Sequence, residues 1–234
     1  MINLKTAIAL TMIVCLAGCK DKPGTPSPPA TYPDATLYFP LKINNSWTFD
    51  YTKDSNGIRL EQGIRIFTVY KDTALTLGAD TVSLCAFDDA SQPFHVFNSY
   101  LLGDRPFDKT SMFWYYGGSF IKLYEMSKLD SLSSPSNSLI YNAFPFHKNV
   151  QIAFYPGFRP VSVPLGNYRS FKSSINISDS YNQPYIHTRE YIKSFYFSRN
   201  IGIVKFTDET HDNDSLGHGF EIVKTYNLKA VSLK

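Results

Sequence analysis

The sequence is low in charged residues and cysteine, and it lacks the short motifs that carry most enzyme chemistry. Only 18% of its 234 residues are charged, and the formal net charge of +3 is too small to indicate a nucleic-acid partner. It contains no glycine-rich phosphate loop, no His-Glu-x-x-His segment and no paired Cys-x-x-Cys. These absences exclude the standard phosphate-binding and zinc sites, so we expect no cofactor and no metal.

A convincing amphipathic helix is also missing, and the best short candidates are residues 34–38 and 124–132. Aromatic residues are abundant instead, at 15%, and they pack well on pleated, half-buried surfaces. Apolar residues recur with a period of two, as in Ile64 and Ile66 on one face and Phe67 and Val69 on the other. The pattern predicts strands at 47–52, 64–70, 81–87, 95–102, 112–116, 120–126, 150–155, 168–177, 185–197, 201–206 and 220–233.

Turn residues separate several of these strands, and Gly117-Gly118 between two aromatic runs predicts a hairpin. Eleven strands at this spacing are typical of an antiparallel sandwich or barrel, and all-β units of this size form one domain. We therefore predict an all-β fold with little helix: a single antiparallel domain over residues 34–234. It is either a β-sandwich or an open, curved half-barrel.

The N-terminus has the anatomy of a secretory signal peptide. Residues 1–18 carry one positive charge, Lys5, followed by an uncharged and mostly apolar run. That run is shorter than the roughly 20 apolar residues that span a bilayer. It ends in Leu16-Ala17-Gly18-Cys19, which resembles the lipobox of bacterial lipoproteins. The resemblance implies cleavage before Cys19 and lipidation of its thiol. The alternative is an ordinary secretory signal followed by a chance cysteine.

The segment after the predicted cleavage site is rich in proline. Residues 19–33 contain prolines at 23, 26, 28, 29 and 33, which disfavour helices and strand ladders and favour an extended polyproline II conformation. We predict a lipidated tether between the membrane and the β domain. Of the three cysteines, Cys15 would be removed and Cys19 acylated. Cys85, in a predicted strand, is then without a disulfide partner.

Three segments of the domain resemble secreted lipoproteins of the Bacteroidetes type. They are the Phe-Pro-Leu-Lys run at 39–42 with Trp47, the Val-Pro-Leu-Gly-Asn-Tyr run at 163–168, and the stretch 196–205, which ends in Gly-Ile-Val-Lys. Leu165 departs from this group, which usually has a small residue there. The resemblance implies a β-rich fold and an envelope location but no reaction. It also implies O-glycosylation at Asp-[Ser/Thr]-apolar triplets. Ser131 and Ser215 are the central residues of two such triplets that lie in predicted loops, and they are the predicted acceptors.

Residues able to bind a metal or to catalyse a reaction are scattered. The run 211–218 contains His211, Asp212, Asp214 and His218 in a predicted loop, but it lacks the later ligands of a calcium loop. Acidic pairs such as Asp208-Glu209 also fall in predicted turns, where acids are common. The sequence therefore assigns no catalytic residue and no metal ligand.

Aromatic residues are the best candidates for binding. Flat platforms for a sugar, or apolar lining for a lipid, could come from Trp47, Trp114, Tyr115, Tyr116, Tyr155 and Phe158. For each of them the core of a β fold is the competing location. Consecutive strand residues face opposite sides, so Tyr115 and Tyr116 cannot both be in the core. Residues Trp114, Tyr115 and Tyr116 are therefore the predicted ligand-binding site.

These observations favour a non-enzymatic lipoprotein of the cell envelope, anchored in the outer membrane through acyl chains on Cys19. Its domain would bind or scaffold a glycan, a lipid or an envelope protein, facing the periplasm or the cell surface. One alternative is a carrier of lipids or small molecules, which requires an apolar cavity. Another is a glycan-binding or carbohydrate-active protein, which requires a surface cleft with aromatic platforms.

Overall fold

Most of the chain forms β-strands. The computed structural model describes residues 33–77, 80–89, 102–104, 111–116, 119–128, 137–143, 146–181, 187–214 and 219–234. Its strands are β1 (Ser46–Ser55), β2 (Ile58–Leu77), β3 (Asp80–Asp89), β4 (Leu102–Asp104), β5 (Ser111–Tyr116), β6 (Ser119–Glu125), β7 (Asn137–Ala143), β8 (Phe146–Val163), β9 (Gly166–Tyr181), β10 (His187–Ser198), β11 (Gly202–Asp214) and β12 (Gly219–Ser232). The helical elements of the described residues are two 3₁₀ turns, Ala35–Tyr38 and Met126–Lys128. Among these residues, no helix is long and apolar enough to span a membrane.

Ten strands form one antiparallel sheet in the order β4-β3-β2-β1-β12-β11-β10-β9-β8-β7. The remaining two, β5 and β6, pair with each other. The first and last strands of the chain are therefore neighbours, because β1 lies between β2 and β12. Among the described strands the sheet is open, with β4 and β7 at its ends. The prediction of an all-β antiparallel fold with little helix is confirmed.

Several predicted boundaries were wrong. Of the proposed helix at 124–132, the structure describes residues 124–128: the first two end β6, and Met126–Lys128 forms a 3₁₀ turn. Strand β7 was not predicted, and β11 continues to Asp214 rather than ending at residue 206. The hairpin predicted at Gly117-Gly118 is confirmed by the pairing of Tyr116 with Ser119. Most of the strand predicted at 95–102 lies outside the described residues.

One face of the sheet, the inner face, carries the apolar core. Along β1, Trp47, Phe49 and Tyr51 are buried, while the residues between them are only half-buried. Cross-strand pairing continues this face on both sides, since Trp47 opposes Phe67 of β2 and Tyr51 opposes Tyr226 of β12. The hairpin β5–β6 covers part of the inner face, because Leu123 of β6 is buried and its carbonyl accepts a hydrogen bond of 2.6 Å from Ser173 Oγ of β9.

The end of the β8–β9 hairpin crosses over toward β12. Pairing of β8 with β9 shifts register between Tyr155 and Arg159, and Gly157 within this bulge has φ +87°. Beyond the bulge, the backbone amide of Leu165 donates a hydrogen bond of 3.0 Å to the carbonyl of Leu228 in β12. In the sheet, β10 and β11 separate β9 from β12. The sheet therefore curves, and the hairpin closes one end of the core.

Candidate functional site

The inner face is divided into an apolar half and a charged half. The largest side chains of the apolar core that are less than 2% exposed are Trp47, Phe49, Phe67, Tyr124, Phe171, Phe197, Phe206 and Tyr226. Their rings contact one another directly: the centroids of Phe49 and Phe67 are 5.0 Å apart, and those of Phe206 and Tyr226 are also 5.0 Å apart. The domain's own side chains therefore fill this half of the face.

The other half, here called the charged floor, consists of Arg189, Lys193, Asp208, Asp212 and Lys224. Antiparallel register places Asp208 of β11 between Lys193 of β10 and Lys224 of β12. The Lys193 Nζ lies 3.1 Å from Asp208 Oδ1, and the Lys224 Nζ lies 3.3 Å from Asp208 Oδ2. One carboxylate thus joins three strands through two ammonium groups, which leaves one uncompensated positive charge in this triad.

A second ion pair lies farther along the same two strands. Arg189 of β10 donates through Nε to Asp212 Oδ2 of β11 at 2.7 Å, and through a terminal nitrogen to the Tyr191 hydroxyl at 3.4 Å. These two hydrogen bonds, with Tyr191 contributing more, raise the pKa of Arg189 above its already high ordinary value. The guanidinium is therefore a permanent cation at any physiological pH.

The acidic side chains of the charged floor are more deeply buried than the basic ones. The carboxylates of Asp208 and Asp212 are only 9% and 5% exposed, whereas Lys224 is 34% and Arg189 is 40% exposed. The acids are thus largely desolvated and held by cations that are themselves more exposed, Lys193 at 19% being the least so. This arrangement suits recognition of a polar or anionic group by charge and hydrogen bonding.

At the β1–β2 end of the inner face, a tyrosine is held in its neutral form. The Arg65 guanidinium lies 4.2 Å from the ring centroid of Tyr51, and Arg65 also pairs with Glu61. Burial, followed by the nearby Glu61 carboxylate, raises the pKa of Tyr51 to about 12. At neutral pH this hydroxyl keeps its proton and acts as a hydrogen-bond donor.

The histidine-rich run at 211–218 does not form a single site in the described residues. His211 and Asp212 are in β11 rather than in a loop, so they face opposite sides of the sheet. On the outer face, the imidazole of His211 lies 3.7 Å from Glu209 Oε2 and 3.6 Å from Glu221 Oε1. Among the described residues, no group of three potential ligands is placed to hold a metal ion. The placement of Asp208 in a turn was also wrong, because it lies within β11.

A polar cleft of about 290 Å³ lies near the turn between β1 and β2. It is lined by Asn56, His211, Asn213, Gly219, Phe220 and Glu221. Asn56 has φ +46° and links the turn to β12 through two hydrogen bonds. Its side-chain Oδ1 accepts a hydrogen bond of 2.8 Å from the backbone amide of Glu221, and its backbone amide donates one of 3.0 Å to the backbone carbonyl of Glu221. The cleft therefore has a rigid, hydrophilic wall.

The aromatic residues proposed as platforms have different locations. Trp47 is fully buried in the core, which rules it out, and Phe158 is half-buried against the core. Tyr155 is 40% exposed. Trp114, Tyr115 and Tyr116 lie in β5, opposite Ile121, Phe120 and Ser119 of β6, and their role as a ligand-binding site stays a prediction. Cys19, Ser131 and Ser215 lie outside the described residues.

Sequence reasoning missed the charged floor. Its signal was present in β10, where Arg189, Tyr191, Lys193, Phe195 and Phe197 share one face by alternation. Two aromatic residues at the end of that series mark the face as buried, so the cations in line with them had to lie on the same side. The partner acids were not recognised because Asp208 and Asp212 were assigned to turns.

Comparison with known proteins gives distant structural likenesses. No protein-family model and no curated protein sequence matches the chain. The structure is similar to that of a candidate lipoprotein from Parabacteroides distasonis, with a TM-score of 0.43, 12% identity, and coverage of 83% of this chain and 98% of that one. It is also similar to a candidate exported protein with a YmcC-like fold from Bacteroides fragilis, with a TM-score of 0.32, 13% identity, and coverage of 84% and 99%. These likenesses are too distant to transfer a function.

Proposed function

We propose that this protein is a lipoprotein of the bacterial outer membrane whose β domain binds or scaffolds an envelope component without catalysing a reaction. The proposed maturation removes residues 1–18 and acylates Cys19. Residues 19–33 then hold the domain away from the bilayer. Support for the anchor comes from the run Leu16-Ala17-Gly18-Cys19 and the prolines that follow it.

The observation that carries the non-enzymatic binding function is the division of the inner face. Its apolar half is filled by aromatic side chains of the domain, such as Phe195 and Phe206 with ring centroids 4.8 Å apart. Its charged half engages the buried carboxylates of Asp208 and Asp212 in ion pairs, while the cations reach solvent. Carboxylates held in this way serve as ion-pair acceptors, and the floor as a whole offers charge and hydrogen bonds to a bound group.

Substituting the lipidated cysteine tests the anchor. In cells supplied with labelled palmitate, we expect Cys19→Ala to abolish incorporation of the label and to leave a longer, uncleaved chain. The physical reason is that the thiol is the acceptor of the lipid, and lipid modification precedes cleavage in lipoproteins. The measurement is labelling together with the intact mass of the membrane-extracted protein.

The matched control is Cys15→Ala, which removes a cysteine four positions away inside the predicted signal peptide. It should incorporate label and be cleaved as the wild type is. Labelling of Cys19→Ala, or its cleavage to the wild-type length, would show an ordinary secretory signal and overturn the anchor.

Native mass spectrometry separates the binding or scaffolding function from that of a lipid carrier. Because aromatic rings fill the apolar half of the inner face, we expect the full chain, extracted from its own membrane, to carry only the acyl chains on its cysteine. A further lipid released intact on activation in the gas phase would instead support the carrier. The Cys19→Ala chain is the control that tells a covalent acyl mass from a bound lipid.

A further inference from the structure

The outer face of the sheet carries a row of alternating tyrosines and lysines, here called the Tyr–Lys ladder: Tyr155, Lys172, Tyr196 and Lys205. These residues lie on the adjacent strands β8, β9, β10 and β11. Register places them directly opposite one another, since Tyr155 pairs with Lys172, Lys172 with Tyr196, and Tyr196 with Lys205. The ladder therefore crosses the sheet perpendicular to its strands, on the face opposite the apolar core.

Cation–π contacts hold the ladder together. The Lys172 Nζ lies 4.8 Å from the ring centroid of Tyr155 and 5.9 Å from that of Tyr196, and the Lys205 Nζ lies 5.7 Å from the Tyr196 ring. Each contact places an ammonium group over a ring, so an anionic ligand meets the cation and the ring together. Tyr155 is 40% exposed, and Lys172, Tyr196 and Lys205 are half-buried.

Small polar residues flank the ladder along its strands. On the outer face of β9, Ser170 and Ser174 lie on either side of Lys172, and Ser194 and Ser198 do so for Tyr196 in β10. These four serines are buried, with Ser174 Oγ and Ser194 Oγ 2.8 Å apart. Of the two rings, Tyr155 is the more exposed, and Tyr196 is half-buried.

The charge around the ladder is mainly positive. Lys172, Lys205 and the exposed Arg159 contribute three cations, whereas the acid that influences Tyr196 is Glu209. Burial, and to a lesser degree Glu209 and Tyr155, raises the pKa of Tyr196, so its hydroxyl stays protonated. The row thus offers aromatic surface, hydroxyl donors and positive charge together.

The spacing of the ladder matches an extended chain with a two-unit repeat. Neighbouring strands are about 4.8 Å apart, so the two rings, and likewise the two ammonium groups, recur about every 10 Å. A disaccharide in an extended polysaccharide has about this length. Sugar rings have an apolar face that packs on aromatic rings, and a uronic acid supplies one carboxylate per disaccharide.

We propose that the Tyr–Lys ladder binds a linear acidic polysaccharide. Its carboxylates draw the Lys172 and Lys205 ammonium groups off the rings into ion pairs, and alternate sugar rings take their places on Tyr155 and Tyr196. The proposal does not rest on the charged floor, which lies on the opposite face. It assigns the two sugars of each disaccharide to different residues of the ladder.

Titration with a hyaluronan decasaccharide tests the proposal, because this oligosaccharide has one carboxylate per disaccharide. The full chain in detergent should bind it, and Tyr155→Ala or Tyr196→Ala should weaken binding about tenfold through loss of ring contact. Lys172→Gln and Lys205→Gln should each weaken binding about threefold and make it less sensitive to salt. Calorimetry measures the affinity, and thermal unfolding verifies that each variant is folded.

Two control variants lie on the same face but outside the ladder. Tyr70→Ala removes a tyrosine of β2 that is 52% exposed, and Lys229→Gln removes the lysine that pairs with Asp50 at 3.1 Å. Both should bind the decasaccharide with wild-type affinity. Should either ladder tyrosine variant unfold, Tyr155→Leu and Tyr196→Leu keep an apolar side chain but no aromatic face, and they should lose binding equally.

Ligand controls separate a glycan site from a general polyanion site. The decasaccharide with its carboxylates reduced to alcohols should bind weakly, and so should polyglutamate of the same charge. Vesicles rich in phosphatidylglycerol should not bind the ladder in a tyrosine-dependent manner. Absence of hyaluronan binding, equal binding of polyglutamate, or equal losses in the Tyr70→Ala control would each overturn the proposal.

Discussion

Gly202 is a residue at which the packing of the core allows little variation. It has φ +94°, and a Cβ atom there would lie 2.9 Å from Nε1 of Trp47. The indole is fully buried, and its Nε1 donates a hydrogen bond of 2.6 Å to the carbonyl of Ile201. The Trp47 side chain therefore cannot move away from an added Cβ without losing both its packing and its hydrogen bond.

Replacing this glycine should be costly. We expect Gly202→Ala to lower the free energy of unfolding by about 3 kcal/mol, because backbone strain and overpacking add. The matched control is Gly157→Ala, where φ is +87° but no atom lies within 4 Å of the added Cβ. That variant should lose only about 1 kcal/mol, from backbone strain alone.

Urea denaturation of the two full-length variants measures this difference. Equal losses would show that Trp47 shifts to accommodate the methyl group, and that the close contact with the glycine imposes little constraint.

At the level of strands, β11 shows how a local prediction fails. Its acidic residues resemble a turn sequence, and the prediction therefore ended the strand at residue 206 rather than at Asp214. In the sheet, Asp208 and Asp212 lie on the inner face because β10 places Lys193 and Arg189 opposite them. Neighbouring strands provide the opposite charges, and no reading of β11 alone contains that information.

The ion pairs of β11 should matter more than those on the surface. We expect Asp208→Asn to lower the free energy of unfolding by about 2 kcal/mol, since it removes the buried carboxylate that pairs with both Lys193 and Lys224. The comparison variant is Asp50→Asn, whose partner Lys229 is 51% exposed. Its effect should stay below about 0.5 kcal/mol.

Both variants keep the shape of the side chain, so chemical denaturation at moderate salt compares the charges directly. Equal effects on stability would mean that the charged floor is no more desolvated than the surface pair, and its description as a buried site would be wrong.

At the scale of the whole molecule, the position of β1 beside β12 is the central feature. The two strands pair along their length, and the backbone amide of Lys234 donates a hydrogen bond of 2.8 Å to Asn45 Oδ1. The strand that opens the domain and the strand that ends it are thus both in the middle of the sheet. Periodicity cannot predict this contact, because it joins residues nearly 190 positions apart in the sequence.

The three segments that resemble Bacteroidetes lipoproteins meet around the same end of the core. Phe39 packs against Trp47 with ring centroids 5.2 Å apart, Trp47 lies on Gly202, and the turn after Val163 reaches β12 through Leu165. Each segment therefore has a role in packing, because it supplies a ring or a turn that closes this end.

The sequence by itself determined the all-β class, most of the strands and the hairpin at β5–β6, because alternation and turn chemistry are local properties of the chain. It also located the predicted lipidation site at Cys19, which depends on a short motif. Only the tertiary structure decided which face each strand buries, which charges meet on the inner face, and which aromatic rings remain accessible. Those outcomes depend on register between strands distant in sequence, where a shift of one residue would exchange the two faces.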